Sequence, residues 1–221
     1  MEIKIIHYSK LTERIKNLLP ALKREQINSE IISEFNPEQL SSLELSKFDQ
    51  KKLRISEISI FLKHMKVLTS DKSVKNIIVI EDDVKIINNF RKKLSFQIDK
   101  LPEDYAFLFF DQFTKSFSVK RNLFNFNKKF YKVDYFSEPD FNILSLKNTG
   151  KTRGLAGYVF NSNFSNIIKN EFESQQKISI PIDHWLNHLI NKHSLNVFWS
   201  QPPLSSQGSK TGKYQSETTI S

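Results

Sequence analysis

The chain contains no cysteine, which excludes a disulfide-stapled scaffold, a cysteine-bound zinc ion and a thiol nucleophile. Glycine is nearly as scarce. Among 221 residues only five are Gly, at 150, 154, 157, 208 and 212. The glycine turns that bring a backbone against a pyrophosphate after an early strand therefore have nothing to form from. Gly150, Gly154 and Gly157 fit neither the dinucleotide fingerprint nor the P-loop spacing. Both chemistries are excluded in their usual form. Long apolar runs are missing too: the longest clean ones, such as Ile77–Ile80, suit a strand and fall far short of the roughly 20 residues of a bilayer span. Met1–Pro20 reads as a strand and a polar helix rather than a signal peptide. These absences predict a soluble, cytoplasmic protein.

Present instead are 38% hydrophobic residues, 19 Phe among them, enough for a substantial core. Lys and Arg number 33 against 24 Asp and Glu, for a net charge of +9. Such a surface attracts nucleic acid, anionic membranes or phosphorylated small molecules. Lys-, Asn- and Ile-rich usage also arises as compositional drift with no partner behind it. A peripheral contact at the cytoplasmic face of a membrane is compatible with the charge.

Ile3, Ile5 and Ile6 make a first strand, and Thr12–Leu22 carries Ile15, Leu18, Leu19 and Leu22 at helical spacing. Ile27–Phe35 reads as a second strand. Apolar residues at threes and fours from Ile55 to Leu68 predict a helix over Ser56–Thr69 with Ser56 as its cap. The run Asn76–Ile80 is that of a strand buried on both faces. A helix at Asn88–Lys100, strands at Tyr105–Phe110 and Leu155–Phe160, a short helix at Asn163–Glu171, a helix at Pro181–His193 and a strand at Leu195–Trp199 follow. The aromatic and basic stretch Phe113–Phe141 suggests antiparallel strands and turns. Strands alternating with helices argue for a single α/β domain over residues 1–204, with a mostly parallel central sheet flanked by helices. The polar stretch 205–221 is expected to be a mobile tail.

The sharpest chemical feature is Glu81-Asp82-Asp83, directly after the apolar run. Ligands of open parallel sheets bind outside the carboxyl ends of the strands. Three acids there repel one another unless a cation or solvent compensates. Hard oxygen ligands suit Mg²⁺ or Mn²⁺ and leave coordination sites for substrate phosphates, whose departure as a diphosphate the ion would assist. The alternative is a solvated acidic turn.

Several segments in order resemble glycosyltransferase family 25, the group of lipooligosaccharide and collagen galactosyltransferases. They are His7-Tyr8-Ser9 with Glu13-Arg14, the helix Ser56–His64 (with Lys63 where Ser is usual), and Ile80-Glu81-Asp82-Asp83-Val84. Gly150–Arg153 with Ala156-Gly157-Tyr158, then Pro181-Ile182-Asp183, and loosely Gln207-Gly208-Ser209, continue the series. Phe113–Leu146 matches nothing in that pattern. The resemblance implies a GT-A-like fold and inverting transfer of a hexose, often galactose, from a UDP-sugar to a hydroxyl of a glycan or lipid-linked glycan such as lipopolysaccharide. It makes Asp83 the direct metal ligand, with Glu81 and Asp82 by the metal or the nucleotide ribose. It makes Asp183 the general base. The loop His7, Tyr8 and Ser9 would line the donor site, Tyr8 either stacking on uracil or simply ending a strand. Arg14 and Arg153, with Lys10 and Lys151, are phosphate-binding candidates by charge and position.

Asp183 also follows Pro181 at a helix start, where a carboxylate is favoured electrostatically, so a helix cap is its plainer role. His64, two turns from Glu57 and on the same face, either approaches the donor site or, the plainer reading, is a satisfied histidine at the edge of a packed helix. His184 and His188 stand at i and i+4, but Trp185 occupies the place of a metalloprotease glutamate, so zinc is not expected. Two other readings compete with the transferase. Asp83 with Lys85 has the form of a metal-dependent nuclease site, and the basic charge alone would suit a nucleic-acid-binding domain. The spread of Lys and Arg through the chain argues against specific nucleic-acid binding.

Overall fold

The computed structural model describes residues 1–70, 74–112, 130–132, 154–200 and 203–209. Strand β1 (Glu2–Ile6) leads to helix α1 (Thr12–Arg24) and strand β2 (Asn28–Ile32). A single 3₁₀ turn and a short helix α2 (Ser42–Ser46) precede α3 (Ile55–Leu68) and β3 (Asn76–Glu81). Next come β4 (Val84–Ile86), α4 (Phe90–Ile98), β5 (Tyr105–Phe109), β6 (Asp111–Gln112) and β7 (Phe130–Lys132). The chain continues with β8 (Gly157–Asn161), α5 (Ser165–Ser174), α6 (Ile182–Lys192), β9 (Asn196–Ser200) and β10 (Ser205–Gln207).

Seven strands form the central sheet in the order β2-β1-β3-β8-β5-β9-β7. β1 pairs in parallel with β2 and β3, and β5 with β9, while β8 lies antiparallel between β3 and β5. β7 runs antiparallel along β9. Five strands thus share one direction and two oppose it, which meets the expectation of a mostly parallel sheet. A small second sheet, β4-β10-β6, is joined by pairing of Ser205 with both Ile86 and Asp111.

Alternation along each strand sorts the core onto two faces. Ile77 and Val79 share one cluster with Phe107, Tyr158, Phe160 and Val197, covered by α3, α5 and α6. Ile78 and Ile80 share the other with Ile3, Ile5, Leu108 and Val159, covered by α1 and α4. Gly157 is required where β8 begins, since a Cβ there would stand 2.6 Å from the Phe110 ring.

The predicted elements shift in detail. Helix α3 begins at Ile55 after Arg54, not at a Ser56 cap, because the Glu57 carboxylate reaches back to accept the Arg54 amide at 2.8 Å. Ser56 lies inside the helix and is buried. The second strand is confined to Asn28–Ile32. Ser205–Gln207, the start of the stretch expected to be a mobile tail, is β10. Its later part, 210–221, lies outside the described residues, as do the aromatic residues 113–129 and 133–141.

Candidate active site

The acidic turn is fixed from both sides by backbone bonds. The Glu81 amide donates to the Ala156 carbonyl at 2.9 Å, and the Asp82 amide donates to the Ile6 carbonyl at 3.0 Å. The turn therefore stands at the carboxyl ends of β1 and β3, beside the entry to β8. Its three carboxylates are in different circumstances.

Asp82 is buried and spoken for. One oxygen accepts from Arg14 at 2.9 Å; the other accepts from the His7 Nδ1–H at 2.7 Å and the Tyr8 amide at 3.3 Å. This clamps the loop after β1, and the start of α1, to the acidic turn. Asp83 is equally buried but poorly served. Its Oδ2 accepts the Ser209 amide at 3.1 Å, while among the described residues its Oδ1 has no hydrogen-bond partner. Burial, and then the charge of Glu81, push its carboxyl above the ordinary 3.8, against a smaller opposing effect from Ser209. Glu81 is partly open to the cleft, and its Oε2 accepts from Gln207 Nε2 at 2.8 Å.

These acids line a cleft of about 330 Å³ whose opposite wall is the start of α6. There Pro181, the N-cap, turns the chain into the helix, and Trp185 packs edge-on against Phe61 of α3 with ring centroids 5.4 Å apart. This docking puts Asp183 and His184 on the cleft. Asp183 lies in the first turn, not at the cap, and accepts its neighbour's amide at 2.9 Å. Arg14, Glu57, Gly154, Gln207 and Ser209 complete the parts of the wall that bear on the chemistry.

Of the sequence candidates, Arg14, Glu81, Asp82, Asp83 and Asp183 meet at this cleft. His7, Tyr8 and Ser9 stand behind it and do not line it. Tyr8 is buried, its hydroxyl donates to Glu38 at 3.3 Å, and Lys63 Nζ lies 5.5 Å from the ring centroid. Ser9 accepts from Asn36 at 2.7 Å. Arg153 and Lys151 fall outside the described residues. Lys85 is exposed on β4 and away from the cleft, so the acid-and-lysine nuclease arrangement does not assemble. His188 is exposed, and among the described residues no three His, Asp or Glu side chains are gathered around a metal position.

Two residues of α3 that the sequence singles out, Lys63 as a departure from Ser and His64 as a satisfied histidine, have partners it does not foretell, and His64 Nε2 has no hydrogen-bond partner among the described residues. Lys63 is fully buried and donates to the His7 carbonyl at 2.8 Å and Asn36 Oδ1 at 2.9 Å, bracing the loop after β1. His64, also fully buried, faces Tyr158 on one side and Glu81 on the other. Adjacent places on α3 were the available signal, since a helix packed over strand ends must present some polar groups to them.

A concave site with convergent carboxylates at the carboxyl ends of a mostly parallel sheet is an enzyme-type site. The family model for glycosyltransferase family 25 (LPS biosynthesis protein) matches residues 2–186, and the chain belongs to that family of glycosyltransferases. No curated protein matches the chain. Among solved structures it is similar to the galactosyltransferase LgtC in complex with donor and acceptor sugar analogs, with 11% identity, 90% of this chain and 73% of that one covered, and a TM-score of 0.48. It is also similar to mouse xyloside xylosyltransferase 1 in its apo form, with 11% identity, coverage of 89% and 70%, and a TM-score of 0.42. Among the described residues no helix is long and apolar enough to cross a membrane.

Proposed function

We propose that the protein is a GT-A-like, metal-dependent inverting glycosyltransferase that moves a hexose, galactose by family resemblance, from a UDP-sugar to a hydroxyl of a glycan such as lipopolysaccharide. The observation that carries this is the meeting, in one cleft, of a buried carboxylate oxygen that has no partner among the described residues (Asp83 Oδ1) and the helix-start carboxylate of Asp183.

The cleft is acidic, and Asp82 already engages its Arg14. A nucleoside diphosphate entering there meets like charge unless a cation accompanies it. Asp83, with Glu81 beside it, fits a Mn²⁺ or Mg²⁺ ion, which typically takes one or two protein carboxylates and fills the rest of its shell from substrate phosphates and water. When bound, the ion would offset the charge of the leaving diphosphate. Asp183 accepts the proton of the acceptor hydroxyl as that oxygen bonds to the anomeric carbon and the bond to the diphosphate breaks. Pro181 and the Trp185–Phe61 contact hold the base in place. Arg14, bonded to Asp82, ties the start of α1 to the turn at the cleft wall. The family description supports a glycan acceptor of the lipopolysaccharide type. The basic surface would suit an acceptor presented at a membrane face.

Calorimetric titration of UDP with and without Mn²⁺ tests the donor half of this reading. Binding that needs the metal and vanishes in Asp83→Asn is the expected result; no binding under either condition overturns it. For the acceptor half, Asp183→Asn should lower kcat by about 10²–10⁴-fold with UDP affinity unchanged, as loss of a base does.

A further inference from the structure

Parity along β3 sends Glu81 to the same face as Ile77 and Val79, the face that α3 covers. The α3 residue that meets it is His64. Its Nδ1 lies 2.9 Å from the Tyr158 hydroxyl, and its Nε2 is buried, without a hydrogen-bond partner among the described residues, 3.7 Å from Glu81 Oε1. Tyr158 is fully buried on β8, and burial together with the charge of Glu81 holds its phenol well above the ordinary value, so it keeps its proton. Two tautomers of a neutral ring are available. If Nδ1 carried the proton, the Nε2 lone pair would face a carboxylate oxygen in a dry setting. If Tyr158 donates to Nδ1, Nε2–H faces that oxygen and attracts it. Electrostatics selects the second.

We infer that His64 is a positioning residue, its tautomer set by Tyr158, whose Nε2–H aims the Glu81 carboxylate in the cleft. Gln207 Nε2 holds the other oxygen of Glu81 at 2.8 Å. The carboxylate thus stands between two neutral donors, one from the helix layer and one from the C-terminal strand. Its direction is then set before any ligand arrives. The functional consequence rests on the donor-site reading above: outer partners that orient a ligating or ligand-facing carboxylate are commonly worth 10–100-fold in metal affinity or activity.

Side-chain ¹⁵N spectra of the ligand-free protein test the inference without any donor. The expected result is the Nε2–H tautomer for His64, with an Nε2 resonance that moves in Glu81→Gln while Nδ1 holds. The Nδ1–H tautomer, or an Nε2 resonance indifferent to Glu81→Gln, overturns it. UDP titration in the presence of Mn²⁺ supplies the second arm. Gln at position 64 can place an amide near the Nε2 position, and Asn near Nδ1. His64→Gln should therefore keep affinity within about threefold, while His64→Asn should lose about tenfold or more. That loss should disappear in a Glu81→Gln background. Equal loss in both single variants, or an additive cycle, assigns His64 to packing only. If the wild type binds no UDP, the donor-site reading falls, and the spectra still decide this one.

Discussion

Asp82 and Asp83 are neighbours on one turn, each 3% exposed, yet the protein treats them in opposite ways. Asp82 receives a guanidinium, an imidazole N–H and a backbone amide from the side of β1. Asp83 is served from the strand β10 side by Ser209, and among the described residues its other oxygen has no hydrogen-bond partner. A buried charge with a full set of partners is part of the scaffold, because removing one partner strands the others. A buried charge left short is a cost that folding alone does not justify. The pair thus separates what holds the turn from what the turn is for.

The largest test of that separation is Asp82→Asn. It removes the charge and one of the two acceptor oxygens that Arg14, His7 and the Tyr8 amide share, and should lower unfolding free energy by about 3–5 kcal/mol in denaturant titrations. A loss below about 1 kcal/mol would erase the distinction. Ser209→Pro removes both the amide that serves Asp83 Oδ2 and the Ser209 hydroxyl that also favours the charged carboxylate, and should cost about 1–2 kcal/mol. Asp83→Asn should go the other way, raising stability by on the order of 1 kcal/mol as an ill-served buried charge is removed. Mn²⁺ should raise the Tm of the wild type and leave that variant unmoved.

The smallest effect is in pH. The Asp83 pKa is raised in the folded chain, so the ionised group burdens the fold above that pKa. The burden fades as pH falls through the raised pKa toward 3.8, where the unfolded chain also takes up the proton. The stability advantage of Asp83→Asn should therefore be full at neutral pH and shrink on acidification. An advantage that grew with acid would reverse the assignment.

What was legible in the sequence follows from range. Ile77–Ile80 announces a strand buried on both faces, and the acids after it announce a strand end, since both signals are local. Asp183 is legible for the same reason, through Pro181. The clamp on Asp82 is not, because Arg14 and His7 lie 68 and 75 residues away in the chain. Ser205–Gln207 carries no apolar period at all. It becomes a strand only by pairing with β4 and β6, and Gln207 and Ser209 reach the acids from 126 residues away. The direction of β8 was equally hidden. A strand covered on both faces reads as continuous apolar sequence whichever way it runs. Tyr8 shows the limit of type-based reading, since an aromatic at a strand end suits a stacked base and here is spent inside the protein.

The insertion of β8 between β3 and β5 also sets a schedule for synthesis. β1, β2 and β3 are complete once residue 81 has been made, but the outer edge of β3 waits for residues 157–161. Through that interval the nascent chain carries an open strand edge of Ile77, Ile78, Val79 and Ile80, the kind of edge that pairs with whatever extended chain is near. The same strand that later carries the acidic turn is thus the segment most in need of protection while the polypeptide is still being made.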